Sequence, residues 1–100
     1  MDIELRRTPT DEEIESICTA AEEAARKLIL SKISLKKLED LDLSIEAIGD
    51  KPLSVAVQVA VETDLDADEL DIIIDKATDA AFDAAEAKVR ELGLCDVSGN

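Results

Sequence analysis

The sequence predicts an α+β domain in which an antiparallel β-hairpin is covered on one face by two long amphipathic helices, in the order helix, strand, strand, helix. Apolar and polar residues alternate along residues 41–63, the period of a strand with one wet face. Residues 11–33 and 66–92 instead carry apolar residues at steps of three and four, and each stretch is preceded by cap-type residues. A chain of 100 residues forms about one domain. It is read here as a flexible N-terminal arm (1–9), a single α+β domain (10–93) and a C-terminal tail (94–100).

In the arm, Ile3 and Leu5 alternate with charged residues and Thr8-Pro9 closes the segment, which fits either a short edge strand or a frayed arm; the frayed arm is the preferred reading. Thr10-Asp11-Glu12-Glu13 has the capping-box pattern, so a helix is expected to start at Asp11. Ile14, Ile17, Cys18, Ala21, Ala25 and Leu28 form its apolar stripe. Acidic residues crowd the first turns and Arg26, Lys27 and Lys32 the last, which complements the helix dipole. The helix is expected to end near Ile33, and residues 34–40 to connect it to the sheet with Leu35 and Leu38 as anchors.

Leu41, Leu43, Ile45 and Ala47 then alternate with Asp42, Ser44 and Glu46, and Leu53, Val55, Val57, Val59 and Val61 with Ser54, Ala56, Gln58, Ala60 and Glu62. Gly49-Asp50-Lys51-Pro52 makes a four-residue loop between the two strands. Thr63 or Asp66 caps the last helix, which runs to about Leu92 with Gly93 as its stop. Leu70, Ile73, Ile74, Ala77, Ala81 and Ala84 are its expected buried stripe, flanked by Phe82 and Val89, with Ile72 outside it. A two-stranded sheet is marginal alone, so the helices must cover it or a further strand must join, from residues 3–7 or from a second subunit. The chain is therefore expected to be a monomer or a weak homodimer.

Composition narrows the function classes. Histidine is absent, which removes the commonest general base and transition-metal ligand, and Ser, Thr and Cys have no imidazole to activate them. The expectation is a protein that is not an enzyme and uses no cofactor. A net charge of -14 opposes nucleic acid and anionic membranes and favours cationic partners. No apolar run approaches the roughly 20 residues of a membrane span, and Cys18 and Cys95 are read as free thiols of a cytoplasmic protein.

Three charge constellations remain. Asp71, Asp75, Asp79 and Asp83 recur every fourth residue on the solvent side of the last helix, within a stretch (62–83) that holds nine acidic residues and one basic, Lys76. Like charges at this spacing cost about a few tenths of a kcal/mol per pair. They are read as a solvated face or as a docking face for a basic partner segment. Asp64, Asp66 and Asp68, with Asp75 eleven positions after Asp64, resemble the spacing of a calcium-binding loop. That match fails where Glu69 replaces the turn glycine and Asp71 an apolar residue, so an acidic helix start outweighs a weak Ca²⁺ or Mg²⁺ site. Arg26, Lys27, Lys32, Lys36 and Lys37 lie in a segment with no acidic residue between positions 24 and 38. Without aromatic stacking residues, helix-end complementation outweighs RNA binding.

The capped first helix, the arm Leu-Glu-Asp-Leu-Asp-Leu-Ser-Ile-Glu-Ala, the strand Leu-Ser-Val-Ala-Val-Gln-Val-Ala-Val-Glu and the closing Asp-Lys-Ala-Thr-Asp-Ala-Ala-Phe-Asp-Ala-Ala-Glu-Ala-Lys-Val-Arg-Glu-Leu together resemble a family of small archaeal proteins of unknown function, often encoded beside the prefoldin β subunit. The resemblance covers about residues 10–93. It implies an archaeal cytoplasmic protein linked to chaperone or translation machinery, and it supplies no functional residues. The combined expectation is a non-catalytic interaction protein. It docks a basic partner through the acidic helix face, with the hairpin edge as a second route by strand addition; the alternatives are a divalent-cation module at 64–75 and an RNA-associated protein using 26–37.

Overall fold

A computed structural model of the chain describes residues 2–49 and 53–94. The expected loop beyond Gly49, and Cys95 with the rest of the tail, lie outside the described residues. Five elements follow in order: β1 (Asp2–Ile3), α1 (Asp11–Lys32), β2 (Leu38–Gly49), β3 (Leu53–Thr63) and α2 (Ala67–Glu91). This is the α+β hairpin-and-helices architecture, with one strand more than the preferred reading contained.

The start of α1 follows from local chemistry. The Glu13 N–H donates to Thr10 Oγ1 at 3.1 Å and the Thr10 N–H donates to Glu13 Oε1 at 2.9 Å, which satisfies two otherwise unpaired groups reciprocally. Ile33 leaves the helix in extended conformation. Residues 35–37 form a turn, and β2 begins at Leu38, three residues earlier than the alternation indicated. Leu35 does not anchor this turn, since it is 75% exposed. The join is held instead by the Thr63 hydroxyl, which donates to the Lys37 carbonyl at 2.7 Å.

The two long strands pair antiparallel, with Leu43 opposite Val59 and Ile45 opposite Val57, so one face gathers the alternating Leu, Ile and Val residues. The arm does not fray. Asp2 pairs with Ser54 and Ile3 with Leu53, which gives the strand order β1-β3-β2. Ile3, Leu5 and Pro9 are buried. The Arg6 N–H donates to the Leu94 carbonyl at 2.6 Å, and the Arg7 guanidinium donates to both Glu13 carboxylate oxygens (2.8 and 2.7 Å) and to the Leu92 carbonyl at 3.2 Å. The arm therefore ties the first turn of α1 to the last turn of α2, and that is why it is ordered.

At that last turn Gly93 adopts φ 71, its N–H donates to the Arg90 carbonyl, and the Leu94 N–H donates to the Val89 carbonyl, each at 3.0 Å. These bonds form a Schellman stop, and its apolar partners Val89 and Leu94 are both fully buried. Leu94 thus belongs to the body and not to the tail. At the other end of α2 the expected side-chain cap is missing. Asp66 occupies the N-cap position without a side-chain hydrogen bond, and Thr63 Oγ1 accepts instead from the Leu65 N–H at 3.4 Å.

The centre of packing is the contact between the helices, which is more extensive than the contact of either helix with the sheet. The fully buried residues are Ile17, Ala21, Ala25 and Ile29 on α1 and Ala77, Ala81, Ala85 and Val89 on α2. Both sets step by four. The expected stripes mixed steps of three and four, so they missed Ile29, replaced Ala85 with Ala84 and left Val89 on a flank. A strict four-residue ridge drifts by about 40° per step around the helix, and two such ridges packed together follow that drift. The sheet is covered less evenly. Leu53 and Val55 are fully buried, whereas Val57, Val59, Val61, Leu41, Leu43 and Ile45 on the same face are half-buried.

Replacing Ala81 with Leu is expected to overfill the helix contact and lower stability by about 1–3 kcal/mol, measured by urea unfolding; an unchanged midpoint would mean the helices do not approach closely there. A second expectation concerns Glu13. The Arg7 guanidinium, the Thr10 backbone N–H and the Thr10 hydroxyl hold its carboxyl down from 4.5 to about 2. A depressed folded value stabilises above the ordinary carboxylate range and is lost as pH falls toward about 2. The stability gap between the native chain and Glu13→Gln should therefore be full at pH 7 and shrink progressively below about 4.5; a gap independent of pH would show that the ion pair contributes nothing.

Candidate functional site

The acidic side of α2 is built by the same four-residue step as its buried side. Asp71, Asp75, Asp79 and Asp83 are all exposed, while Ala77, Ala81 and Ala85 are buried. Residues two apart on a helix point about 200° away from each other, so Asp75 and Asp79 are nearly opposite Ala77. Because both rows advance by four, the acidic ridge follows the alanine seam on the far side of the helix for about 18 Å. None of the four carboxylates has an ion-pair partner among the described residues. The ion pairs of α2 lie near its C-terminal end, at Arg90–Glu86 (3.5 Å) and Lys88–Glu91 (3.3 Å). Lys76, the one cation of the acidic stretch, does not neutralise the ridge. It lines a groove with Lys32, Leu65, Glu69, Ile72 and Ile73.

That groove accounts for the odd position of Ile72, which is 57% exposed and outside the buried stripe, as expected. The nearness of Lys32 to Lys76 was not legible in the sequence, since it depends on how the end of α1 meets the start of α2. Asp64, Asp66 and Asp68 lie in the bend after β3 and at the start of α2, and Asp75 lies two turns further along. They are not drawn into a shared site: among the described residues no group of three His, Cys, Asp or Glu side chains is placed to hold a metal ion. Asp68 and Glu69 instead face the positive end of the α2 dipole.

The basic segment divides in a similar way. Arg26 is bonded to Glu22 at 2.9 Å, one turn earlier on α1. Lys27, Lys32, Lys36 and Lys37 are exposed. Cys18 is half-buried and free, and burial pushes its thiol up, away from the reactive thiolate. Among the described residues no polar or charged side chain is buried, and no helix is long and apolar enough to cross a membrane.

Two solved structures share this fold. One is the solution structure of a hypothetical protein from Methanothermobacter thermautotrophicus, 25% identical, with a TM-score of 0.70 over 85% of this chain and 93% of that one. The other is a crystal structure from Thermococcus onnurineus NA1, 21% identical, with a TM-score of 0.72 over 92% of this chain and 89% of that one. The likeness to the second shows the fold alone. Comparison with curated proteins gives no match. The profile described as "Protein of unknown function (DUF3194)" matches residues 6–88, from the Arg clamp of the arm to the last turns of α2, and the chain accordingly belongs to the DUF3194 family.

Proposed function

We propose that the chain is a non-catalytic interaction protein that docks a basic partner surface along the acidic ridge of α2. The observation that carries this reading is the row Asp71, Asp75, Asp79 and Asp83: four exposed carboxylates, free of ion pairs among the described residues, on the side of α2 opposite its packed face. Four like charges in line repel one another, and a cationic partner relieves that repulsion as it binds. The lack of histidine, the commonest general base, supports a binding role over acid–base catalysis. As part of the same proposal, the resemblance to small archaeal proteins supports a partner in chaperone or translation machinery and a cytoplasmic location, and the short sheet with free edges supports a monomer or weak homodimer.

The test uses an oligolysine peptide as the basic probe and two variants. One changes the four ridge aspartates to Asn. The other neutralises Glu39, Asp40, Asp42 and Glu46 on β2, which removes the same number of charges elsewhere. The ridge variant is expected to lose about tenfold in affinity at low salt and the β2 variant much less. Equal losses would show that the peptide follows net charge and would overturn the ridge as the docking site.

A further inference from the structure

The sheet has two free flanks, and they differ in kind. The outer flank of β2 carries Glu39, Asp40, Asp42 and Glu46 and a register irregularity between Leu38 and Asp40, devices that discourage pairing with another strand. The outer flank of β3 has no such guard. From Leu53 to Val61 it holds no charged residue, and its Val residues have high strand propensity. Among the described residues, β1 pairs on this flank with Leu53 and Ser54. Beside residues 57–63 no strand is present among the described residues.

Burial changes at the same place. Leu53, opposite Ile3, and Val55 are 0% exposed, while Val57, Val59 and Val61 on the same face of the same strand are only half-buried, as are Leu41, Leu43 and Ile45 across from them on β2. The helix layer has room above this flank. Two helices side by side are about as broad as four strands, and here they cover two full strands and the two residues of β1. α2 lies over β3 and α1 over β2.

We propose that the open lane beside β3, in line with β1, is a strand-addition site for an extended segment of a partner protein, apolar at alternate positions and basic between them. The apolar positions extend the valine face beneath α2. The basic positions follow from the opposite face of the sheet, where Asp40, Asp42, Glu46 and Glu62 project and β2 and β3 carry no cation. The register aligns this face for side chains arriving from the lane. Ala60 is opposite Asp42 and Ala56 is opposite Glu46. A lysine stem from the lane crosses a small alanine on β3 and brings its ammonium to a carboxylate on β2, two strand spacings or about 10 Å away. A second copy of this chain is a poor occupant, since neither of its long strands alternates apolar with basic residues and β2 would bring acid against acid. The lane and the α2 ridge lie in different layers, and either can fail without the other.

The experiment titrates the peptide Val-Lys-Val-Lys-Val-Lys-Val into isotopically labelled full-length chain and follows amide shifts and hydrogen exchange. Strand addition is expected to shift the amides of 57–63 and slow exchange of those facing the lane by about tenfold. The same peptide methylated at every backbone nitrogen should have no effect. Asp42→Asn with Glu46→Gln should weaken binding by about tenfold while leaving the spectrum of the free chain folded, because both side chains are exposed. Unmoved amides at 57–63, equal binding of the methylated peptide, changes confined to 71–83, or the same 57–63 changes on concentrating the chain without peptide would each overturn the proposal; the last would assign the lane to a second copy.

Discussion

The structure depends on one contact, the packing of α1 on α2, whose fully buried residues include Ala21 and Ala25 on α1 and the ridge Ala77, Ala81 and Ala85 on α2. Small side chains at every fourth position let two long helices run close together over most of their length. The larger residues Ile17 and Ile29 on α1 and Val89 on α2 close the ends of the seam. Since the helices bury their apolar stripes largely in each other, the sheet receives only part of their cover. Its fully buried residues are Leu53, which faces Ile3 of the N-terminal arm, and Val55.

The arm closes one end of this assembly. Arg7 joins Glu13 at the start of α1 to the Leu92 carbonyl at the end of α2, and the Arg6 N–H reaches Leu94. Helix starts collect anions and helix ends collect donors, so one arginine serves a carboxylate and a terminal carbonyl together. At the opposite end Thr63 joins the turn before β2 to the bend before α2. Between these two closures the acidic residues are displaced to the outside of α2 and the wet face of the sheet. Both functional readings draw on that displacement, one from each layer.

Most elements were legible because their signals are local. The capping box at Thr10, the positive-φ stop at Gly93 and the period-two alternation of the strands each involve neighbouring residues. Buried stripes were less legible. A periodic pattern says that a helix has an apolar side, but which of two adjoining rows is fully buried depends on the angle at which the partner helix crosses, and so Ala85 replaced Ala84 and Ile29 was missed. The ridge Asp71 to Asp83 was legible as a row; that it lies opposite the alanine seam required knowing where the seam was. The Lys32–Lys76 groove and the half-covered valines had no sequence signal, because each joins residues distant in the chain.

The sequence by itself determined the α+β class, the extents of both helices, the strand alternation and the absence of histidine, since propensity, period and composition are read from the chain directly. Tertiary structure decided that residues 2 and 3 are a strand, that the helices pack chiefly on each other, and that β3 keeps an uncharged flank beneath α2. Those outcomes turn on competition between surfaces for a limited apolar area. A two-residue strand has too weak a local signal to identify itself, and it forms because Ile3 pairs with Leu53 while Arg6 and Arg7 reach the carbonyls of Leu94 and Leu92, all 50 or more residues away.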